Sequence, residues 1–260
     1  MVGRLPAVLA GSAAVTRNGG ELGKADMHLH TLYSDGTASV QAVLDHVERA
    51  TDLDLIAITD HERIDGAQRA AEIHAAADYS FGLAIGEEIT TRRGHLLALF
   101  IRERIPALRP LDETIERIHD QGGIAIAPHA MAPLTPSLGR GSLLRAQAAE
   151  PGRRLDALEL MNPSTAGRSR RAARRRINDE ALHLAAVGNS DAHVLEGIGT
   201  GWTWFPGSSP DDYRAAIADR TTRPDGRYWS HLHNVDVYRR QLRAKLRHLG
   251  HTLRPSGEWR

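Results

Sequence analysis

His28 and His30 stand at i and i+2 in the apolar run that ends at Leu29-His30, so a strand there turns both side chains to one face. Asp35 follows in Tyr33-Ser34-Asp35-Gly36, and Asp60-His61 closes the next apolar run. Glu88 comes just after a third run, His95 opens a fourth, and His129 follows a fifth. Asp191 and His193 repeat the i, i+2 spacing behind Ala185 to Asn189. Carboxylates packed among themselves raise one another's pKa values, and divalent cations reverse that sign. Mixed imidazole and carboxylate donors suit Zn, Mn or Fe ions and lack the soft sulfur that selects copper. Two or three such ions side by side polarise a phosphoryl group, activate water and neutralise a leaving oxygen. A single His-x-His is a common accident. The recurrence of these residues along successive runs is the signal.

The elements that must position them alternate between short apolar runs and helical patterns. Strands are expected at Ala25 to Leu29, Leu55 to Thr59, Phe81 to Ile85, His95 to Ile101, Ile124 to Ala127, Ala157 to Met161 and Ala185 to Asn189. Between them, Ser39 caps a helix from Val40 to Ala50, an alanine-rich helix covers about Gly66 to Ala77, and a third spans Leu111 to Asp120 before Gly122 and Gly123. A continuous basic helix is expected over about Arg168 to Leu184. Ile198 to Phe205 reads as a last strand or an extended return segment. Ser209-Pro210 opens a short helix through Ala218, and Val235 to Leu249 forms an amphipathic terminal helix. Such alternation implies a parallel sheet with crossover helices. Active sites of these barrels collect where strands end. His28, His30 and His95 fall within or at the start of their runs, so that rule accounts for only part of the set.

The 260 residues suit a single barrel, expected over 23–260, with residues 1–22 as a loosely attached extension. A net charge of +1 gives no global field that argues for nucleic acid. The absence of cysteine excludes disulfides and thiolate metal sites. Of the basic residues only Lys24 and Lys245 are lysines, which reads as a coding bias. No stretch approaches the roughly 18–20 apolar residues of a membrane span. Leu5 to Ala10 and Ala13 to Val15 only faintly imitate a signal peptide, so the cytoplasm is the expected location.

Asp26-Met27-His28-Leu29-His30, Ser34-Asp35-Gly36, Thr59-Asp60-His61, Gly86-Glu87-Glu88-Ile89, Gly94-His95-Leu96-Leu97, Pro128-His129 and Ser190-Asp191-Ala192-His193 resemble, in order, the motifs of the PHP (polymerase and histidinol phosphatase) family. The resemblance runs from about residue 24 to 205. It implies an α/β distorted (β/α)7 barrel and nine metal ligands: His28, His30, Asp35, His61, Glu88, His95, His129, Asp191 and His193. Glu88 matches the family glutamate, rather than Glu87, because it precedes the Ile-Thr pair, and the resemblance makes it a bridge between two ions. His28, His30 and Asp191 would complete one site, His95 and His129 a second, and Asp35, His61 and His193 a third. The catalytic load would fall on His61, Asp191 and Glu88. Glu159 and Asn162 resemble a family strand near the site, although a strand end with a turn-forming asparagine reads as well. The helical insertion that many nucleotide-directed members carry is absent, since only 33 residues separate His95 from His129.

Other residues invite attention. His231-Leu232-His233 reads as a rim loop rather than a ligand pair, and Arg140, in Leu138-Gly139-Arg140-Gly141, is a candidate for a substrate phosphate, as is Asn162 for substrate. Arg168, Arg170, Arg171, Arg174, Arg175 and Arg176 read as a solvated helix face, because no aromatic residue interleaves with them. The expected function is hydrolysis of a small phosphomonoester by attack of a metal-bound hydroxide, with two or three divalent ions (Mn, Fe or Zn). A phosphodiesterase or exonuclease on nucleic acid is the alternative, and a non-catalytic metal-binding barrel is the reading from another class.

Overall fold

The computed structural model describes residues 22–133 and 135–229, together with Val237 and Arg239. The expected extension up to Glu21, the His231-His233 pair and most of the terminal helix therefore lie outside the described residues. Among the described residues nine strands form one sheet: β1 (Leu22–Leu29), β2 (Leu55–Ile58), β3 (Gly82–Thr91), β4 (Gly94–Leu99), β5 (Ile124–Ala127), β6 (Ala157–Met161), β7 (Ala185–Gly188), β8 (Gly201–Pro206) and β9 (Arg223–Gly226). Their order is β7-β6-β5-β4-β3-β2-β1-β8-β9. Thr203 of β8 brings the sheet round towards β7: its Oγ1 accepts from the Gly188 N–H at 3.0 Å and donates to the Gly188 carbonyl at 2.8 Å. The result is a nearly closed, distorted α/β barrel.

The helices cover this sheet for simple reasons. In α1 (Val40–Ala50) the Ser39 hydroxyl accepts from the Ala42 N–H, while Val40, Val43, Leu44 and Val47 are buried along one face. Then come α2 (Asp65–Ala75), α3 (Leu111–Asp120) and α4 (Arg140–Gln147), the last not foreseen from sequence. Beyond β8, α7 (Pro210–Asp219) opens on a capping box between Ser209 and Asp212 and packs Tyr213, Ala216 and Ile217 against the barrel interior. No helix among the described residues is long and apolar enough to cross a membrane.

Two expectations are corrected. The sheet is not wholly parallel: β3 continues through Glu88 to Thr91, turns at Arg92-Arg93, and β4 returns antiparallel. A two-residue link can join only antiparallel strands. Gly94 closes the turn at φ +137°, and a Cβ there would lie 2.3 Å from the carbonyl carbon of Ser137. Gly94→Ala is expected to cost at least about 2 kcal/mol in urea unfolding, from backbone conformation and clash together. A wild-type midpoint in that variant would remove this account of the turn.

The basic helix is also not continuous. It divides into α5 (Thr165–Arg168) and α6 (Arg171–Ile177), with Arg170 between them at φ 57° and a wide helical turn at Asn178–Leu182 behind. Arg174 shows why. It is fully buried, not solvated, and its guanidinium donates to the carbonyls of Ala130 at 3.1 Å, Ser169 at 2.8 Å and Gly167. One turn of helix is given up so that those carbonyls face it.

Candidate metal centre

His28 on β1 and His30, the residue just past its end, lie side by side with ring centroids 5.1 Å apart. On β3 the alternation of side chains sends Glu88 towards them and Glu87 the other way, where its carboxylate accepts from the Ile105 N–H. Because β4 runs antiparallel, its first residues share a rim with the last residues of β1, β2 and β3. That places His95 at the mouth, although it opens its strand.

Glu88 is the centre of the cluster. Its Oε2 lies 3.1 Å from His28 Nε2 and 3.3 Å from both His30 Nε2 and His61 Nδ1. Its Oε1 lies 2.8 Å from His95 Nδ1 and 3.1 Å from His129 Nε2. Five imidazoles thus surround one carboxylate. Asp191 Oδ1 is 3.4 Å from the Nε2 atoms of both His28 and His30, and Asp35 Oδ1 is 3.1 Å from His193 Nε2. Four overlapping groups have donor atoms within 4.8 Å of one another: His30-Asp35-His61-His193, His28-His30-Glu88, His28-His129-Asp191 and His61-Glu88-His95. All nine candidate residues are in them. His30 joins Asp35, His61 and His193, while His95 groups with His61 and His129 with His28.

This donor set fits divalent cations. Both ring nitrogens of His30 are buried and make no hydrogen bond, despite carboxylate oxygens 3.3 and 3.4 Å from Nε2. Burial pushes the Glu88 carboxyl up, but His61, His28 and His95 reverse that and hold it well below the usual range. Burial opposes charge on His30 as well, yet Asp191, Glu88 and Asp35 raise it to about 10. Protons on imidazole thus balance the carboxylates, and a metal ion competes with those protons for the same lone pairs.

Several polar residues hold the ligands in place. Glu159 faces His28 Nδ1 at 3.3 Å and accepts from Asn189 Nδ2, Asn162 Nδ2 and the His129 N–H. Asn162 is buried and fully engaged: Nδ2 donates to Glu159 and to Asp191 Oδ2, while Oδ1 accepts from Ser164. It orients ligands, with its amide nitrogen donating to both Glu159 and Asp191. Asp60 accepts from the Thr31 N–H, the Thr31 hydroxyl and the Ser34 hydroxyl, fixing the loop that carries Asp35. Asp26 accepts from the N–H groups of Ser190 and Gly199, fixing the Asp191 loop, and burial pushes it up to about 6. Asp26, Asp60 and Asn189 carry these positioning roles without having stood out as functional residues in the sequence. Their signal was polarity inside otherwise apolar runs. His129 at φ 29° and Asp191 at φ 55° adopt backbone conformations uncommon for such residues, as ligand-bearing loops often do.

A family model described as PHP-associated matches residues 167–222, which include Asp191 and His193. An uncharacterised protein of Methanocaldococcus jannaschii is 35% identical over 127 residues, covering 45% of this chain and 72% of that protein. The chain belongs to the PHP family. A two-domain Bacteroides vulgatus protein containing a predicted PHP-like metal-dependent phosphoesterase shares the fold at TM-score 0.64 and 20% identity. The match covers 79% of this chain and 65% of that one, so the chain spans somewhat under two thirds of it. An endonuclease Q, in complex with duplex DNA bearing an abasic lesion, shares it at TM-score 0.54 and 16% identity, over 76% of this chain and 57% of its own. At these identities the likeness is one of fold.

Two further features of this PHP chain lie outside the cluster. Arg140 begins α4 and borders a surface groove with Arg176, Met131 and Glu180, a groove that none of the nine candidate ligands lines. Tyr228 lies against the arginine-rich stretch, its ring centre 5.2 Å from the guanidinium carbon of Arg168 and 5.5 Å from that of Arg171. The aromatic partner that the local sequence lacks comes from about 60 residues downstream.

Proposed function

We propose that the chain hydrolyses a phosphoester on a small phosphorylated molecule, with two or three divalent ions (Mn, Fe or Zn) held by His28, His30, Asp35, His61, Glu88, His95, His129, Asp191 and His193. The observation that carries this reading is Glu88, one carboxylate enclosed by five imidazoles. When bound, such ions polarise the phosphoryl group, activate a water and neutralise the leaving oxygen. The protein's part is to hold donors and admit substrate. His61 and Asp191 have the most exposed side chains of the nine, 27% and 16%, so substrate enters over them. Burial, helped by His30 and His95 against the pull of Glu88, lowers His61 to about 4, leaving a neutral ring with a free lone pair. Glu159 and Asn162 fix His28, His129 and Asp191 from behind, which keeps the donors preorganised.

A nucleic-acid substrate is the second reading, favoured by Tyr228 against Arg168 and Arg171. An accessory, non-catalytic barrel is disfavoured by nine ligand-type groups held in register by buried partners. Purified protein is expected to carry more than one equivalent of Mn, Fe or Zn, and chelation should abolish phosphate release from a panel of small phosphomonoesters. One equivalent or less in fully active protein would sink the cluster. Turnover that prefers oligonucleotides and falls steeply with salt would move the substrate to the second reading.

A further inference from the structure

The arginine-rich stretch serves three different ends. Arg174 is turned inward, and Arg176 pairs with Glu180 at 3.3 Å. Arg171 and Arg175 make no ion pair among the described residues, and they stand at i and i+4 on one face of α6. Both border a surface pocket of about 130 Å3, lined also by Tyr228, by Leu160 and Met161 at the end of β6, and by Pro224 to Gly226 of β9.

The chemistry of that pocket is one-sided. The Tyr228 hydroxyl oxygen is buried and has no hydrogen-bond partner. Its ring lies against Arg168 and Arg171, which limits where those guanidiniums can swing. Asp225 also borders the pocket, but its oxygens are already used: Oδ2 accepts from Trp204 Nε1 at 3.1 Å and Oδ1 from the Gly226 N–H at 2.8 Å. Two cations and a tyrosine whose hydroxyl is unsatisfied therefore border a space the size of about four water molecules. A phosphate group with a bridging water fits that volume, and planar guanidiniums match its oxygens in pairs.

The pocket also adjoins the metal centre without belonging to it. Leu160 and Met161 line it, while Glu159 and Asn162, on either side of them in the chain, reach His28 and Asp191. We propose that Arg171, Arg175 and the Tyr228 hydroxyl form a second phosphate site, separate from the metal cluster, that binds a phosphate the enzyme does not cleave. That phosphate comes either from a doubly phosphorylated substrate or from free inorganic phosphate. The first source rests on the phosphoester reading above, whereas the site itself does not.

The test titrates inorganic phosphate into the metal-loaded full chain and follows binding by calorimetry. Wild type is expected to show two classes of site. Arg171→Gln with Arg175→Gln should lose one class, and Tyr228→Phe, which keeps the ring, should weaken that same class by about threefold to tenfold. Identical isotherms in all three proteins would overturn the proposal. So would loss of the class in the double variant with no change in Tyr228→Phe. If the preference in kcat/KM for a bisphosphate over its monophosphate falls about tenfold in the double variant, the occupant is substrate. If phosphate binding is lost while that preference holds, the occupant is free phosphate. A chain that turns over no phosphoester would defeat the proposed function and leave the binding result standing.

Discussion

Glu88→Gln is expected to fold, to lose at least one metal equivalent, and to turn over its phosphoester on the order of a thousandfold more slowly. The two oxygens of Glu88 face five imidazole nitrogens at 2.8 to 3.3 Å. Glutamine keeps the shape but replaces one acceptor by an amide NH2 and removes the charge, so one group of ring nitrogens meets a donor where an anion stood. Glu87 is the internal control. It is buried on the opposite face of β3, accepts from the Ile105 N–H at 3.1 Å, and is pushed up to about 7 by burial. Its neutral form is already accessible, and glutamine keeps the accepting oxygen. Glu87→Gln should therefore change kcat/KM by no more than about twofold, equivalent to about 0.4 kcal/mol. Elemental analysis and kinetics on the two variants side by side give the comparison. Equal losses in both, or full activity and metal content in Glu88→Gln, would remove Glu88 from the centre.

The contrast between these neighbouring glutamates marks how far the sequence could be read. His28 and His30, and Asp191 and His193, were legible because alternation along a strand and a short loop put each pair on one side. The seven strands from β1 to β7 were legible as apolar runs between helical patterns. The reversal of β4 was not. Nothing in the apolar pattern of Leu96 to Leu99 encodes direction, and the signal lay in the two-residue link at Arg92-Arg93, hidden because β3 continues six residues beyond Ile85. Only that reversal explains how His95, at the start of its strand, reaches Glu88. The outer layer was less legible still. Asp26, Asp60 and Asn189 act through backbone N–H groups contributed by segments distant in sequence, and a one-dimensional pattern does not show which side-chain oxygen those groups will meet. The same limit hid Tyr228 from the arginines it touches, and Arg174 from the carbonyls it serves.

Arg174 supplies the second large effect. Its side chain is fully buried and makes no ion pair among the described residues. Burial lowers its pKa, partly offset by the charge of Glu159. It remains in place because it donates to the carbonyls of Ala130, Ser169 and Gly167, in the loop after His129 and around the break between α5 and α6. Ala130 follows His129 and precedes Met131, both at positive φ, so the guanidinium pins the loop that brings His129 to Glu88. Arg174→Leu removes that donor from all three carbonyls and is expected to lose about 3–5 kcal/mol in urea unfolding, at about 1–3 kcal/mol for each buried acceptor that loses a hydrogen bond. Arg174→Lys should keep part of the stability, since an ammonium still donates but cannot span three carbonyls in a planar fork. In that folded variant, metal affinity should fall about tenfold to a hundredfold through the displaced His129. Arg170→Gln, at an exposed position between Tyr228's partners Arg168 and Arg171, should stay within about 0.5 kcal/mol of wild type. Unfolding each protein with and without metal separates a structural loss from a loss at the centre. If Arg174→Leu is as stable as Arg170→Gln, or if Arg174→Lys binds metal as wild type does, then the arginine neither supports the fold nor positions His129.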